Sequence, residues 1–312
     1  MSILQTLSTT LPVIFLVIMG YFFRRIEFIK PASISDFKSL VVNVTLPLVL
    51  FKAFSTMQFE PRFLLIVASV FTACTAVMLI SSRLSCLPGL GSRYSSYLMA
   101  GFEAGMLGYA VFSATYGDAN IPHFAVIDLG QVLFVFFILV TRLQAEQSQR
   151  LSLRQAIEQF FKTPVIIGIL AGILANLSGV YNLLAGWELT GSVLHTAEIL
   201  AGLTLPLVAI VIGYELSFKA GSLVRPLQTV ALRLVVWVAL AVGFNALVIR
   251  GILGLDPVFE AAVLLMAVLP APFVIPLYLK QEEAGERDYI VNTLSLGTVA
   301  ALAGVVIVRM IY

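Results

Sequence analysis

The sequence predicts an all-α membrane protein: ten transmembrane helices arranged as a 5+5 inverted repeat, with broken, crossing fourth and ninth helices. Three observations predict it. Of the 312 residues, 60% are hydrophobic and 12% charged, whereas soluble globular chains average about 45–50% apolar and about 25% charged. Apolar windows of the roughly 20 residues needed to span a bilayer recur along the whole chain. Segments of the first half also reappear, in order, in the second. A mean hydropathy of +1.00 leaves no room for a sizeable catalytic or sensory domain outside the bilayer. The 19 basic residues nearly balance the 17 acidic ones, which argues against a nucleic-acid partner. Cys74 and Cys86 match no metal or redox spacing and read as packing residues.

Ten windows are bounded by charges, prolines or glycines. The first, about Leu4 to Phe23, lacks a basic n-region and is followed by Arg24 and Arg25 rather than a small-residue cleavage site. It reads as a retained helix, not a signal peptide. The next four run from about Phe37 to Met57, Phe63 to Ser82, Tyr97 to Tyr116 and Ile121 to Thr141. The second set runs from about Pro164 to Tyr181, Val193 to Leu216, Pro226 to Ile249, Phe259 to Leu279 and Tyr289 to Ile311. This divides the chain into a first five-helix repeat over 1–142, a linker over 143–163 and a second five-helix repeat over 164–312. The polar connection from Arg142 to Thr163 carries Arg142, Arg150, Arg154 and Lys162 among Leu151, Leu153, Ile157, Phe160 and Phe161. Two readings stand for it: an amphipathic helix on the membrane surface and a solvated linker.

Charge fixes the orientation. The odd-numbered connections hold Arg24, Arg25, Lys30, Lys38, Arg83, Arg93, Arg142, Arg150, Arg154, Lys162, Lys219, Arg225, Lys280 and Arg287, fourteen in all, against Lys52, Arg62, Arg250 and Arg309 on the other side. By the positive-inside rule the linker is cytoplasmic and both termini lie outside. The expected location is a bacterial-type inner membrane, crossed many times, with the lipid bilayer as partner.

The repeat is carried by four matches in order. Pro12-Val13-Ile14 returns as Pro164-Val165-Ile166, and Thr45-Leu46-Pro47-Leu48-Val49 as Thr204-Leu205-Pro206-Leu207-Val208. Leu98-Met99-Ala100 returns as Leu265-Met266-Ala267, and Leu129-Gly130 as Leu296-Gly297. The offsets, 152, 159, 167 and 167, grow smoothly and pair helix n with helix n+5. Five helices reverse the chain across the membrane, so the second half is inverted. Inverted repeats mark secondary transporters, whose two related halves exchange inward-open and outward-open arrangements.

Such proteins bind substrate near the midplane, where broken helices leave backbone groups free. The clearest break is Pro270-Ala271-Pro272, with Pro276 beyond it, because two prolines there cannot sit in a regular helix. The repeat places Glu103, Ala104 and Gly105 at the matching positions, beside Gly101 and Gly108. The crossing of these two breaks is the expected substrate site, with structural kinks and small-residue packing as the alternative. Pro47 and Pro206 match in the second and seventh spans, and Asn43 sits one turn before Pro47, where it could line the cavity or merely attend a kink.

A charge at the centre of a span costs about 2.5–3.5 kcal/mol on insertion scales, so each needs a partner, a wet cavity or a functional role. Asp128 lies about 11 Å into the fifth span at 1.5 Å per residue, and Glu103 is similarly deep in the fourth. Both are candidates for coupling protons or sodium, since shielding from water favours the neutral carboxyl that a proton carrier needs. The alternative for Asp128 is a buried acid held by neighbouring helices. Gln131, one turn on, shares its network; Ser295, close to Asn292, is its counterpart in the second half. Arg233 has the fork that grips a carboxylate, or it snorkels to the surface. Glu198, Glu215 and Glu260 sit near span ends. His123 and His195 lack metal-ligand spacing, and no phosphate-binding glycine loop is present, so no metal, cofactor or enzymatic activity is expected.

The second span from Val42 to Phe51, with Asn43-Val44-Thr45-Leu46-Pro47, resembles the auxin efflux carrier family, as does Leu269-Pro270-Ala271-Pro272-Phe273-Val274-Ile275-Pro276 within Leu265 to Tyr278. The run Asn292-Thr293-Leu294-Ser295-Leu296-Gly297-Thr298 is similar as well. The resemblance covers the whole chain and implies a fold related to the bile acid sodium symporters, small organic anions as substrates and a homodimer. The short linker matches the bacterial members. An asparagine or proline often marks the fourth-span crossover in that family; here Glu103 stands in a stretch without proline. The expected function is proton- or sodium-coupled secondary transport of a mono- or dicarboxylate, the alternative a polytopic receptor or enzyme without transport.

Overall fold

The computed structural model describes residues 3–146, 153–219, 223–278 and 284–312. Among them every regular element is a helix, as period and composition require, and the chain is all-α. Helix α1 is Ile3–Arg25, α2 Pro31–Thr56 and α3 Phe63–Arg83. The fourth expected span divides into α4, Ser95–Met99, and α5, 104–116. Helix α6 is Asp118–Glu146, α7 Leu153–Lys162, α8 Pro164–Leu177, α9 Val180–Ala185 and α10 Glu188–Glu215. Helix α11 is Val224–Ile252, α12 Pro257–Val268 with a 3-10 turn at Ile275–Tyr278 beyond its end, and α13 Ala284–Ile311. Six of these stretches, α2, α3, α6, α10, α11 and Gly285–Ile311 of α13, are long and apolar enough to cross a membrane.

Several boundaries differ from those expected from the sequence. The sixth window stops at Leu177, not Tyr181, because Ser178-Gly179 turns the chain, and the short helix α9 follows. In α2 the segment before Pro47 is not broken: a wide π-turn over Val41–Thr45 absorbs the missing proline N–H and the helix runs on. The linker region is helical over α7. Its helix meets α8 at 71° because Thr163, preceding Pro164, is extended. Ala156 and Phe160 of α7 are buried, with Phe160 5.1 Å from Phe137, while Glu158 and Lys162 pair across its exposed face. Arg150, Leu151, Lys280 and the window end at Leu279 lie outside the described residues.

Burial is concentrated late in each half of the chain. Every side chain of α12 from Phe259 to Val268 is buried, as are most of α4, α5 and α6. By contrast α8, α9 and α10 expose Leu174, Leu177, Leu183, Trp187, Leu189 and Val193. Large apolar side chains on the outside suit a surface that meets lipid tails rather than water. The apolar helices thus make this a multi-pass membrane protein by length and composition.

Two helix pairs approach most closely. Helix α1 packs on the second half of α10, and α8 on the second half of α2. In the first pair, a Cβ on Gly20 would overlap the Ile210 carbonyl; in the second, a Cβ on Gly172 would lie 2.6 Å from the Phe51 carbonyl oxygen. Small residues let such backbones meet where no hydrophobic drive between helices exists. Around them α3 packs on α4 and α6, while α11 packs on α12 and α13.

Candidate functional site

The two breaks meet. Helix α4 ends at Met99, Ala100 is extended, and Gly101 takes φ +69°, a left-handed conformation that glycine tolerates best. A Cβ there would also sit 3.0 Å from Pro272 Cγ. Helix α12 ends at Val268 with Leu269 extended, and neither Pro270 nor Pro272 can donate a backbone hydrogen bond. The Glu103 N–H donates to the Pro270 carbonyl at 2.9 Å, joining one break to the other. Pro270, Ala271 and Pro272 are all buried.

Helix ends leave carbonyls unmet at the C-terminus and N–H groups unmet at the N-terminus, and each kind is answered here by one charged side chain. Arg233 of α11, 3% exposed, lies between the C-terminal ends of α4 and α12. It donates to Leu98 O at 3.0 Å, to Gly101 O, to Leu269 O at 3.3 and 3.4 Å and to Pro270 O at 3.4 Å. Its guanidinium stands 5.0 Å from the Phe102 ring, and Trp237 one turn on donates to Met99 O at 2.7 Å. A cation is favoured at such dipole ends. Arg233 therefore does not snorkel, and its fork faces backbone carbonyls.

Glu103 answers the opposite ends. Its Oε1 accepts from Met106 N–H at 3.2 Å, capping α5, and its Oε2 accepts from Phe273 N–H at 2.6 Å, just past the proline pair. One carboxylate thus holds donors from both broken spans. Gly105 follows in the first turn of α5, 3.8 Å in Cβ terms from Leu46 of α2.

Asp128 is tied to this crossing through side chains. It is 2% exposed and accepts from Tyr109 Oη–H at 2.8 Å and from Gln131 Nε2 at 3.3 Å. The same Gln131 Nε2 donates to Phe102 O at 2.9 Å, next to Glu103, while Gln131 Oε1 is buried without a partner. Helix α6 brings Asp128 and Gln131 to one face because they are three residues apart.

The two polar residues expected of α13 are held differently. Asn292 accepts from Lys219 N–H at 2.7 Å and donates to Lys219 O at 3.4 Å. Ser295 accepts from Ser217 N–H at 3.2 Å and donates to Ser217 O at 2.9 Å. Both side chains clamp the segment that follows α10. Asn43 is exposed and bonds Ser39, and Pro47 packs against Gly168 of α8.

A cavity of about 850 Å³ opens at the arginine- and lysine-rich end, lined among others by Arg24, Lys38, Glu215, Lys219, Arg287 and Ser295. Phe273, whose N–H holds Glu103, is in its wall. A second cavity of about 380 Å³ lies towards the other end, walled by Tyr109, Lys52, Asp118 and Glu198. Neither Asn43 nor Pro47 lines these two cavities, because the uninterrupted turn of α2 carries them to another face. Ion pairs between α2 and α10 stand in both: Lys38 with Glu215 in the first, and Lys52 with Glu198 at 2.9 Å in the second. Glu260 pairs with Arg250 at 2.6 Å. Tyr109, Trp237 and the ion-pair lysines do not stand out in the sequence. A tyrosine or tryptophan deep in an apolar window is the usable signal, since its polar atom must find a partner.

Among the described residues no three His, Cys, Asp or Glu side chains gather as a metal would need. Neither a protein-family model nor a characterised protein matches the chain.

Proposed function

We propose that the chain is a secondary active transporter of a small organic anion, a mono- or dicarboxylate, working by alternating access around the crossing of its fourth and ninth spans. The observation that carries this reading is the meeting of two broken helices beside a large cavity, with Phe273 belonging to both. Around that cavity Arg24, Lys38, Lys219 and Arg287 outnumber Glu215 and Asp288, four against two, which favours an anion. By the positive-inside rule this mouth is cytoplasmic. Asp128 and Glu103 are the groups for coupling to protons or sodium.

Ten spans and an inverted 5+5 repeat fit the packing. Gly172 is Gly20 shifted by 152 and Ile210 is Phe51 shifted by 159, the two sequence offsets of the first and second spans. The close contacts Gly20 to Ile210 and Gly172 to Phe51 are therefore repeat images of each other. The pairing of α3 with α4 and α6 likewise mirrors that of α11 with α12 and α13. The resemblance to the auxin efflux carrier family agrees with this arrangement and adds a homodimer as the expected assembly.

Purified protein in liposomes, offered labelled mono- and dicarboxylates under an imposed pH or sodium gradient, tests the proposal. Concentrative uptake of at least one of them is expected. If none moves under either gradient, the reading fails.

A further inference from the structure

Two of the donors that an incoming carboxylate would use at the crossing are already taken. Met106 N–H and Phe273 N–H both point at Glu103, one on each carboxylate oxygen. The alternative cation, Arg233, is committed to the Leu98, Gly101, Leu269 and Pro270 carbonyls. A substrate anion entering from the 850 Å³ cavity past Phe273 thus meets a site filled by the protein's own carboxylate. Two carboxylates a few ångströms apart do not both stay ionised in a site shielded from water.

Resting on the transport reading above, we infer that Glu103 is a built-in competitor for the substrate carboxylate, and that it yields its two N–H partners only by taking up a proton. The exchange balances. One proton passes from solution to a Glu103 oxygen, the substrate carboxylate accepts from Met106 and Phe273 N–H in its place, and no covalent bond in the substrate changes. Counting the one carboxylate that binds there, the charge at the two N–H groups is the same before and after, so the helix ends remain matched.

The charged and titratable groups that face Glu103 leave it as the one released by this exchange. Lys38 of α2 and Glu215 of α10 act on it from the cavity but are paired with each other. Arg233 of α11 is consumed by carbonyls. Asp128 of α6 is held by Tyr109 and Gln131 and touches neither N–H. One proton would therefore accompany each anion bound, and Glu103 would set that count.

The test is binding of succinate and benzoate to the purified full chain across pH, with proton uptake measured on binding. In the parent, affinity should rise about tenfold per pH unit of acidification wherever Glu103 is ionised, with one proton taken up per anion. In Glu103→Gln, which mimics the neutral acid, affinity should be pH-independent and match the parent's acid limit, with no proton uptake. Binding by the parent that is pH-independent and proton-free overturns the inference and leaves the transport reading standing, even if Glu103→Gln does not fold. Binding by neither protein at any pH overturns both. Binding by Glu103→Gln alone supports the competitor, since removing the internal charge has opened the site.

Discussion

The buried polar residues of α6 and those of α13 do opposite things. Asp128 and Gln131 in α6 hold each other, a tyrosine and one carbonyl beside Glu103. Asn292 and Ser295 in α13 hold the backbone of Ser217 and Lys219, each with a donor and an acceptor used. Side-chain networks can rearrange by changing one proton, whereas a neutral side chain bonded twice to one peptide can only let go. The difference teaches that buried polar residues on two helices of one bundle need not share a role: those of α6 carry ionisable chemistry and those of α13 form a clamp.

The largest expected effect lies where the two halves meet. Arg233→Ala would leave the buried carbonyls of Leu98, Gly101 and Leu269 without donors, at about 1–3 kcal/mol for each orphan. Such a total is comparable to the whole margin of a typical domain, about 5–15 kcal/mol, so little monodisperse folded protein should survive detergent extraction, and Arg233→Lys should recover only part. A variant as stable as the parent would show that the crossing does not depend on the guanidinium.

Next comes the contrast itself. Asp128→Asn keeps an acceptor for Tyr109 and should fold, yet gradient-driven accumulation in liposomes should vanish while exchange persists. Asn292→Ala should do the reverse, lowering the melting temperature with the loss of two hydrogen bonds while uptake per folded molecule stays unchanged. Unaltered accumulation by Asp128→Asn would remove it from coupling.

The smallest effect probes where the halves are alike. Gly20→Ala and Gly172→Ala each force a methyl against a facing carbonyl and should cost about 1–3 kcal/mol by overpacking. Thermal melts of the two should show similar losses. A large loss from one and none from the other would break the mirrored packing.

Much of the molecule is legible in its sequence. The third window, Phe63 to Ser82, becomes Phe63–Arg83, because charges and an apolar run define a helix without tertiary help. The proline pair announces the ninth break through chemistry that no neighbour can override. Glu103 is marked by its depth and by its alignment with the proline pair. What stays hidden is partnership over distance. The residues that Arg233 bonds lie up to 135 positions away, and an arginine one and a half turns into a span reads equally as a snorkelling one. Asn43, one turn before Pro47, could by its sequence line the cavity or merely attend a kink. The π-turn over Val41–Thr45 instead keeps α2 continuous and leaves Asn43 outside. Asn292 and Ser295 look open to ligand in sequence because their partners are peptides, which a string of side chains does not display.

Helix α4 is five residues long, far below the roughly 12–15 at which an isolated helix holds itself together. Its shape is borrowed from Arg233 and Trp237, which are synthesised more than 130 residues later. During synthesis the break of α4 must therefore wait, unformed, until α11 arrives to receive it. The order in which the chain is made and the order in which its centre becomes structured are different.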